Sequence, residues 1–142
     1  MGNPGTTATT VAITLKAISD DKSMALFRII AEKTMSSSGG INTDGLRSLT
    51  KLTRKQYYSR LSRMLRRGLI KRKKGKYVLS SFGKVVYDAQ VRVENALEYY
   101  WKLKAMDSLI TSKELPSEDE QRVLDTLLGN NEELKKIFKK KV

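Results

Sequence analysis

The sequence predicts a mostly α fold of the α+β kind, in which short helices and a two-stranded hairpin precede a long helix and a short helical tail. Two observations predict it. Apolar residues recur at three- and four-residue spacing over most of the chain, which is typical of amphipathic helices. In one stretch, from Leu69 to Ser80, short apolar segments flank a glycine-containing turn, which is typical of a β-hairpin.

Positive charge is concentrated in the middle of the chain. The 142 residues include 28 Lys and Arg and 15 Asp and Glu, so the formal net charge is +13. Between Asp44 and Asp88 there are fourteen Lys and Arg and no acidic residue, and the rest of the chain is nearly balanced. Positive charge that is concentrated in one segment indicates a surface that binds a polyanion.

The composition disfavours several classes of protein. The chain contains no Cys and no His, which excludes disulfides, zinc fingers and the commonest general base. No nucleophile–base pair, metal cluster or phosphate loop is visible, so we expect neither an enzyme nor a cofactor. No apolar run approaches the roughly 18 residues of a membrane helix, and no secretory signal is visible. We therefore expect a cytoplasmic, nucleoid-associated protein with no membrane partner.

The first segment, residues 1–19, is rich in Gly, Thr and other small residues and is expected to be a flexible arm. Val11, Ile13 and Leu15 alternate with smaller residues, which leaves one short strand as the alternative.

Ser19-Asp20-Asp21 provides an N-cap for a first amphipathic helix, expected over about residues 21–35. Ser and Gly residues then break the helix, and Ile41 is a candidate for a very short strand. Thr43 is expected to cap a second helix, which contains Leu46 and Leu49.

A third helix is expected from Arg54 to Arg67, with Thr53 as its cap and Gly68 as a left-handed residue at its end. Tyr57, Tyr58, Leu61, Met64 and Leu65 share one face of a helical wheel, and the opposite face is polar and basic. Arg can form bidentate bonds to guanine and Gln to adenine, whereas other cations hold phosphates.

The expected hairpin has Lys73-Lys74-Gly75-Lys76 at its tip, where cations can reach phosphates or a minor groove. Together the helix and the hairpin give the candidate DNA-binding residues Arg54, Lys55, Gln56, Ser59, Arg60, Arg63, Arg67, Arg72, Lys73, Lys74 and Lys76.

This stretch resembles a known family. The run from Leu52 to Leu61, followed by Gly68-Leu69-Ile70-Lys71-Arg72 and by Gly75-Lys76-Tyr77-Val78-Leu79-Ser80, is similar to archaeal winged helix-turn-helix transcriptional regulators of the ArsR/MarR-like superfamily. The resemblance covers about residues 20–103. It implies binding of double-stranded DNA, with residues 54–67 as the recognition helix and residues 72–76 as the wing. The chain lacks the Cys and His ligands of metal-sensing members.

A long helix is expected over residues 81–106, beginning at Ser80-Ser81. Its apolar residues follow a heptad pattern, typical of a coiled coil, and such a helix is too long for a small domain to cover. We therefore expect a homodimer, with Val86, Ala89, Val93, Ala96, Leu97, Tyr100, Trp101 and Leu103 at the interface. Packing of this helix against the tail of the same chain is the alternative.

The tail, residues 107–142, is expected to form two short helices. Ser117 and Glu120 have the spacing of a capping box, and Asn131 is a candidate cap for the last helix. The predicted organisation is thus an arm (1–19), a winged-helix DNA-binding domain (20–80), a dimerisation helix (81–106) and a helical tail (107–142).

The function expected from these patterns is sequence-specific, dimeric regulation of transcription on double-stranded DNA. Two alternatives remain open: an architectural, chromatin-type DNA-binding protein with little sequence preference, and a protein-interaction module of the transcription machinery. RNA binding also remains open, although no exposed aromatic platform is evident.

Overall fold

The computed structural model describes residues 7–111 and 116–138, with side chains over 10–109 and 116–138. The chain divides into two compact units, residues 1–89 and 90–142. The described elements are α1 (Thr7–Lys16), α2 (Asp21–Met35), α3 (Thr43–Leu49), α4 (Arg54–Arg66), β1 (Ile70–Lys73), β2 (Lys76–Leu79), α5 (Ser81–Glu98), α6 (Tyr100–Thr111), α7 (Ser117–Leu128) and α8 (Glu132–Phe138). The mostly α architecture with one small antiparallel sheet is confirmed.

Helix α1 replaces the flexible arm and the short strand that the sequence suggested for residues 7–16. The alternation of Val11, Ile13 and Leu15 was misleading, because Val11 and Leu15 are about half exposed. Burial instead falls at helical spacing, on Thr14, Ala17 and Ile18. The Thr14 hydroxyl donates to the Thr10 carbonyl at 2.8 Å, so its burial leaves no unsatisfied group. The expected arm's first six residues lie outside the described part.

Helix α2 has the bounds that the sequence predicted. The Asp20 side chain caps it by accepting from the Ser23 backbone N–H at 3.1 Å. Its buried face, with Leu26, Phe27 and Ile30, belongs to the core of the first unit and packs against β2.

Helix α3 is capped by Asn42, one residue before the expected Thr43. The Asn42 side chain accepts from the Gly45 backbone N–H at 2.7 Å. The lone apolar residue Ile41 forms an isolated antiparallel bridge to Tyr77, with N···O distances of 3.1 and 2.7 Å. The prediction of a very short strand at Ile41 is therefore confirmed.

Helix α4 begins with a capping box between Thr53 and Gln56, and it ends at Arg66, one residue before the expected end. Gly68 follows with φ of 74°, the left-handed conformation predicted for it. Its core face buries the predicted residues except Leu65, which is partly buried, and Tyr58, which is exposed. The Tyr58 ring stacks on the buried Tyr57 ring, with a centroid distance of 4.5 Å.

The hairpin is confirmed, with Ile70 opposite Leu79 and Lys73 opposite Lys76. Its two-residue turn is Lys74-Gly75, and both residues have positive φ, 53° and 79°. Two positive φ values are what a type I′ turn requires. The apolar hairpin residues Leu69, Ile70 and Leu79 join the core, so the strands are anchored while the turn is exposed.

The expected single helix over residues 81–106 is interrupted. Ser80 caps α5 as predicted, because its hydroxyl accepts from the Gly83 N–H at 2.8 Å. At Tyr99 the helix tightens, since the Tyr99 N–H lies 3.2 Å from the Asn95 carbonyl and 3.1 Å from the Ala96 carbonyl. Hydrogen bonding then resumes from the Leu103 N–H to the Tyr99 carbonyl at 2.9 Å, and α6 follows.

The second unit has its own small core, formed by Met106, Leu124, Leu128 and Leu134. The expected capping box of α7 does not form, because Pro116 occupies the N-cap position and no side-chain bond is made there. Asn131 does cap α8, accepting from the Leu134 N–H at 3.1 Å. Among the described residues, no helix has the length and hydrophobicity needed to cross a membrane.

Candidate nucleic-acid interface

The outward face of α4 is polar and basic over its whole length. Tyr57, Leu61 and Met64 point into the core, and at 100° per residue the opposite direction falls near Ser59. Exposed residues on and around that direction are Lys55, Ser59, Ser62 and Arg66. Tyr58 is exposed at one side of the face, and Arg54 is exposed at the first residue of the helix, nearer the core-facing side. Ser62 and Tyr58 were missed as site candidates. Ser62 could have been found from its spacing, since it lies seven residues after Lys55.

Two predicted base-reading side chains of α4 are already engaged within the protein. The Gln56 amide oxygen accepts from the Thr53 N–H at 3.0 Å and completes the capping box. The Arg60 Nε donates to Asp20 Oδ2 at 3.1 Å, and its Nη1 donates to the Gln56 carbonyl at 3.1 Å. The Arg60 side chain is only 22% exposed. Both residues lie at the edge of the face that borders the N-terminus of α2.

The ion pair also shifts the titration of Asp20. Partial burial by itself would raise the pKa of this carboxyl, but hydrogen bonds from Ser23 and the Arg60 guanidinium outweigh it and lower the pKa from 3.8 to about 2. Asp20 is therefore charged at neutral pH and holds Arg60 in place.

Arg63 and Arg67 lie on the Arg60 side of the outward face. Arg63 is partly buried, and Arg67 is exposed at the C-cap of α4. Neither contacts a carboxylate in the described part of the chain, so their guanidinium groups are the least encumbered donors on this side of the helix.

The hairpin turn presents two lysines to solvent and holds two further cations nearer the protein. Lys73 is the last residue of β1 and Lys74 is the first residue of the turn, and both are exposed. The Arg72 guanidinium lies over the Tyr77 ring, 5.1 Å from its centroid. The Lys76 Nζ donates to the Ser38 carbonyl at 2.8 Å. Lys73 and Lys74 are thus the freest of the four hairpin cations.

Arg47 of α3 is a further exposed cation of the first unit. Burial raises the pKa of the Tyr57 phenol, and the positive charges of Arg47 and Arg54 act in the opposite direction. Both positive charges therefore favour ionisation of the Tyr57 hydroxyl, against the effect of its burial. Arg47 was not among the site residues predicted from the sequence.

The positive charge of the segment between Asp44 and Asp88 is almost uncompensated. Of its fourteen Lys and Arg, Arg60 is the one that contacts a carboxylate within residues 7–111 and 116–138. The same described residues contain no cluster of three acidic side chains that could hold a metal ion. Uncompensated cations suit a polyanion with many phosphates.

The residues predicted to form a dimer seam do not share one environment. Val86 packs against the core of the first unit, and Leu103 packs against the core of the second. Ala96 is partly buried. The other five predicted seam residues are exposed, and they are Ala89, Val93, Leu97, Tyr100 and Trp101.

The chain matches no protein-family model, no curated protein and no solved structure.

Proposed function

We propose that the first unit is a winged helix-turn-helix domain that binds double-stranded DNA, and that the protein regulates transcription as a dimer. The order helix, bridge strand, helix, helix and hairpin supports this proposal. The observation that carries it is the exposed cationic surface of α4 and the hairpin turn, in which Arg60 alone is neutralised by a carboxylate. Such a surface attracts phosphates, and a helix of this kind fits the major groove.

The proposed contacts divide by chemistry. Arg63, Ser59 and Lys55 of the outward face enter the major groove, where their donors reach base edges. Lys73 and Lys74 of the turn clamp the phosphate backbone and carry no sequence information. Arg54, Arg66 and Arg67 lie at the two ends of α4 and add phosphate contacts there.

One observation favours a second candidate function, in which the protein coats DNA with little sequence preference. Gln56 and Arg60 were two of the expected base-reading residues, and both are held by bonds within the protein. The exposed face is left with Arg, Lys and Ser. Cations outnumber the side chains that discriminate between bases, which is typical of binding dominated by phosphates.

The first test is fluorescence anisotropy with random duplex DNA and with duplex RNA of matched sequence, at several salt concentrations. We expect DNA binding whose log affinity falls steeply with log salt concentration, by about 0.9 for each phosphate neutralised. Selection from a random DNA pool then separates the two candidates, since a coating protein gives a specificity ratio near one. Absence of binding to either duplex at low salt would reject both and favour a protein-interaction module.

Matched variants test the division of contacts. Arg63→Ala is expected to lower affinity for a selected site about 5–150-fold more than for random DNA, because a good base contact is worth ~1–3 kcal/mol. Lys73→Ala with Lys74→Ala is expected to weaken both DNAs alike and to reduce the salt slope by about 1.8. Lys16→Ala with Lys22→Ala removes the same charge from exposed positions that are not among the proposed contacts and serves as the control. Equal losses of affinity from all variants, on the selected site and on random DNA alike, would contradict the proposed division of contacts.

A further inference from the structure

An exposed apolar stripe runs along the second unit at the end of α5 and the start of α6. Val93, Leu97, Tyr100 and Trp101 recur at three- and four-residue spacing and are between 45% and 75% exposed. Trp101, the only tryptophan in the chain, is the most exposed of them at 75%. Large apolar side chains gathered at one place on a surface usually mark a site of association.

A groove lies beside the stripe and shares Val93 with it. Val93, Ala96, Leu134 and Ile137 form its apolar floor, and it has a volume of about 230 Å³. Arg92 and Glu133 stand at its rim with their charged atoms 3.9 Å apart. The unit therefore carries projecting apolar side chains and an apolar depression on neighbouring parts of its surface.

We infer that this stripe and groove are the surface on which a second copy of the chain docks. A twofold interface uses the same patch on both partners, so the patch has to be complementary to itself. The stripe of one copy can pack on the stripe of the other around the axis, and the groove beside each stripe extends the apolar area on either side. The inference deepens the proposed function and rests only on its dimeric part. It involves no contact with DNA.

The open apolar area is of the size that a dimer needs. Val93, Leu97, Tyr100, Trp101 and Ile137 leave on the order of 500 Å² uncovered, given that a large aromatic side chain buries about 150–250 Å². A standard interface buries about 800 Å² per partner, of which about 60% is apolar. The stripe and the groove together supply that apolar share.

The charges around the stripe select the orientation of the two copies. Glu94 and Glu98 precede its centre in the sequence, and Lys102 and Lys104 follow it. In an antiparallel crossing with the twofold axis near Tyr100, Glu98 of one copy faces Lys102 of the other. A parallel pairing would place like charges opposite each other, which is unfavourable. The pattern therefore indicates an antiparallel pair.

Trp101 allows this inference to be tested directly on the full chain without DNA. Sedimentation analysis gives the mass over a wide range of protein concentrations, and tryptophan emission with acrylamide quenching gives the exposure of Trp101 over the same range. We expect the mass to double as concentration rises, with a blue shift of the emission and reduced quenching in parallel. A monomer at every concentration, or a dimer in which Trp101 stays fully quenchable, would overturn the inference.

Variants that keep Trp101 sharpen the test. Leu97→Ala is expected to weaken self-association at least about tenfold, whereas Val85→Ala, at an exposed apolar position of α5 in the first unit, is expected to leave it unchanged. Glu98→Lys is expected to weaken it, and Glu98→Lys combined with Lys102→Glu to restore it. If the double variant does not recover the self-association of the wild type, the antiparallel arrangement is overturned. Circular dichroism establishes that each variant remains folded, and DNA affinity is a separate measurement whose failure bears on the first unit alone.

Discussion

The ion pair between Asp20 and Arg60 joins the start of α2 to the middle of α4, forty residues apart in the chain. It fixes one edge of the candidate DNA-binding face. Both side chains are partly exposed, 42% for Asp20 and 22% for Arg60, so solvent screens the pair and its contribution to stability is about 1 kcal/mol or less.

The first prediction concerns the pH dependence of this pair. The pKa of Asp20 is lowered in the folded protein from 3.8 to about 2, so the stabilisation is present above pH 4 and is lost as the pH falls towards 2. Asp20→Asn keeps a capping side chain but removes the charge. We expect the variant to be less stable than wild type at pH 7 and equally stable near pH 2.

Denaturant unfolding at pH 7, 4 and 2 measures this difference. Asp21→Asn removes the adjacent exposed carboxylate, which is not the partner of Arg60, and is the matched control. A stability difference between wild type and Asp20→Asn that is independent of pH would contradict the assignment.

Lys74 is the second residue with a specific consequence. It adopts φ of 53°, a left-handed conformation that Asn or Gly accepts more readily than Lys. Asn-Gly is the favoured pair for this turn, yet the chain has Lys-Gly. A strained residue at an exposed cationic tip supports the proposed role of its charge in DNA binding.

We therefore predict that Lys74→Asn stabilises the protein by about 0.5–1 kcal/mol and weakens DNA binding, with the salt slope reduced by about 0.9. Lys73→Asn removes the same charge from a residue of β1, where Asn gives no advantage, and is the control. Thermal unfolding and anisotropy measure the two effects. A loss of stability in Lys74→Asn would show that the turn is not under the strain described.

Among the elements, the start of α5 is the most tightly fitted to its neighbour. A Cβ built at Gly83 would lie 1.9 Å from the Leu69 carbonyl oxygen, which is backbone and cannot rotate away. The close approach lets Ser80 bond both the Leu69 carbonyl and the Gly83 N–H. Leu69 and Ser80 lie at the open base of the hairpin, and these bonds join that base to the first turn of α5.

We predict that Gly83→Ala costs about 3 kcal/mol or more, because backbone has to shift to admit the methyl group. Gly68→Ala is the comparison: its φ of 74° disfavours Ala by about 1–2 kcal/mol, but no atom within 4 Å obstructs the Cβ. Urea unfolding followed by circular dichroism measures both costs. Similar losses of stability in the two variants would show that the first turn of α5 can shift away from Leu69 at little cost.

At the scale of the whole molecule, the two units carry different parts of the proposed function. Residues of the first unit hold the cationic surface, and residues of the second hold the apolar stripe. If two chains associate through the second unit, each DNA site meets two cationic surfaces. A dimer of helix-turn-helix domains reads half-sites about one helical turn, or a multiple of it, apart.

This arrangement predicts how Leu97→Ala acts on DNA. At protein concentrations where the wild type is dimeric and the variant is not, we expect weaker binding to a DNA with two half-sites and unchanged binding to a DNA with one. Anisotropy with the two duplexes measures this, with Val85→Ala as the control. Equal affinity of wild type and Leu97→Ala for the two-site DNA would contradict cooperation between the copies.

What the sequence determined by itself was local. The bounds of α2, the Thr53 cap of α4, the left-handed Gly68 and the hairpin all follow from interactions between residues a few positions apart, where spacing and residue type suffice. The concentration of charge was also readable, because counting needs no structure. The alternation in residues 11–15 was the misleading local signal, since burial of Ala17 and Ile18 against the core favours a helix there.

The tertiary structure decided which side chains of the candidate site are available. Asp20 forms an ion pair with Arg60, forty residues away in the chain, and this contact has no signal in the local pattern. The predicted seam of α5 and α6 was likewise divided, because Val86 and Leu103 pack into separate cores while Leu97 and Trp101 stay exposed. Spacing along a helix shows which residues share a face, but only the packing of distant elements determines which of those faces remain open.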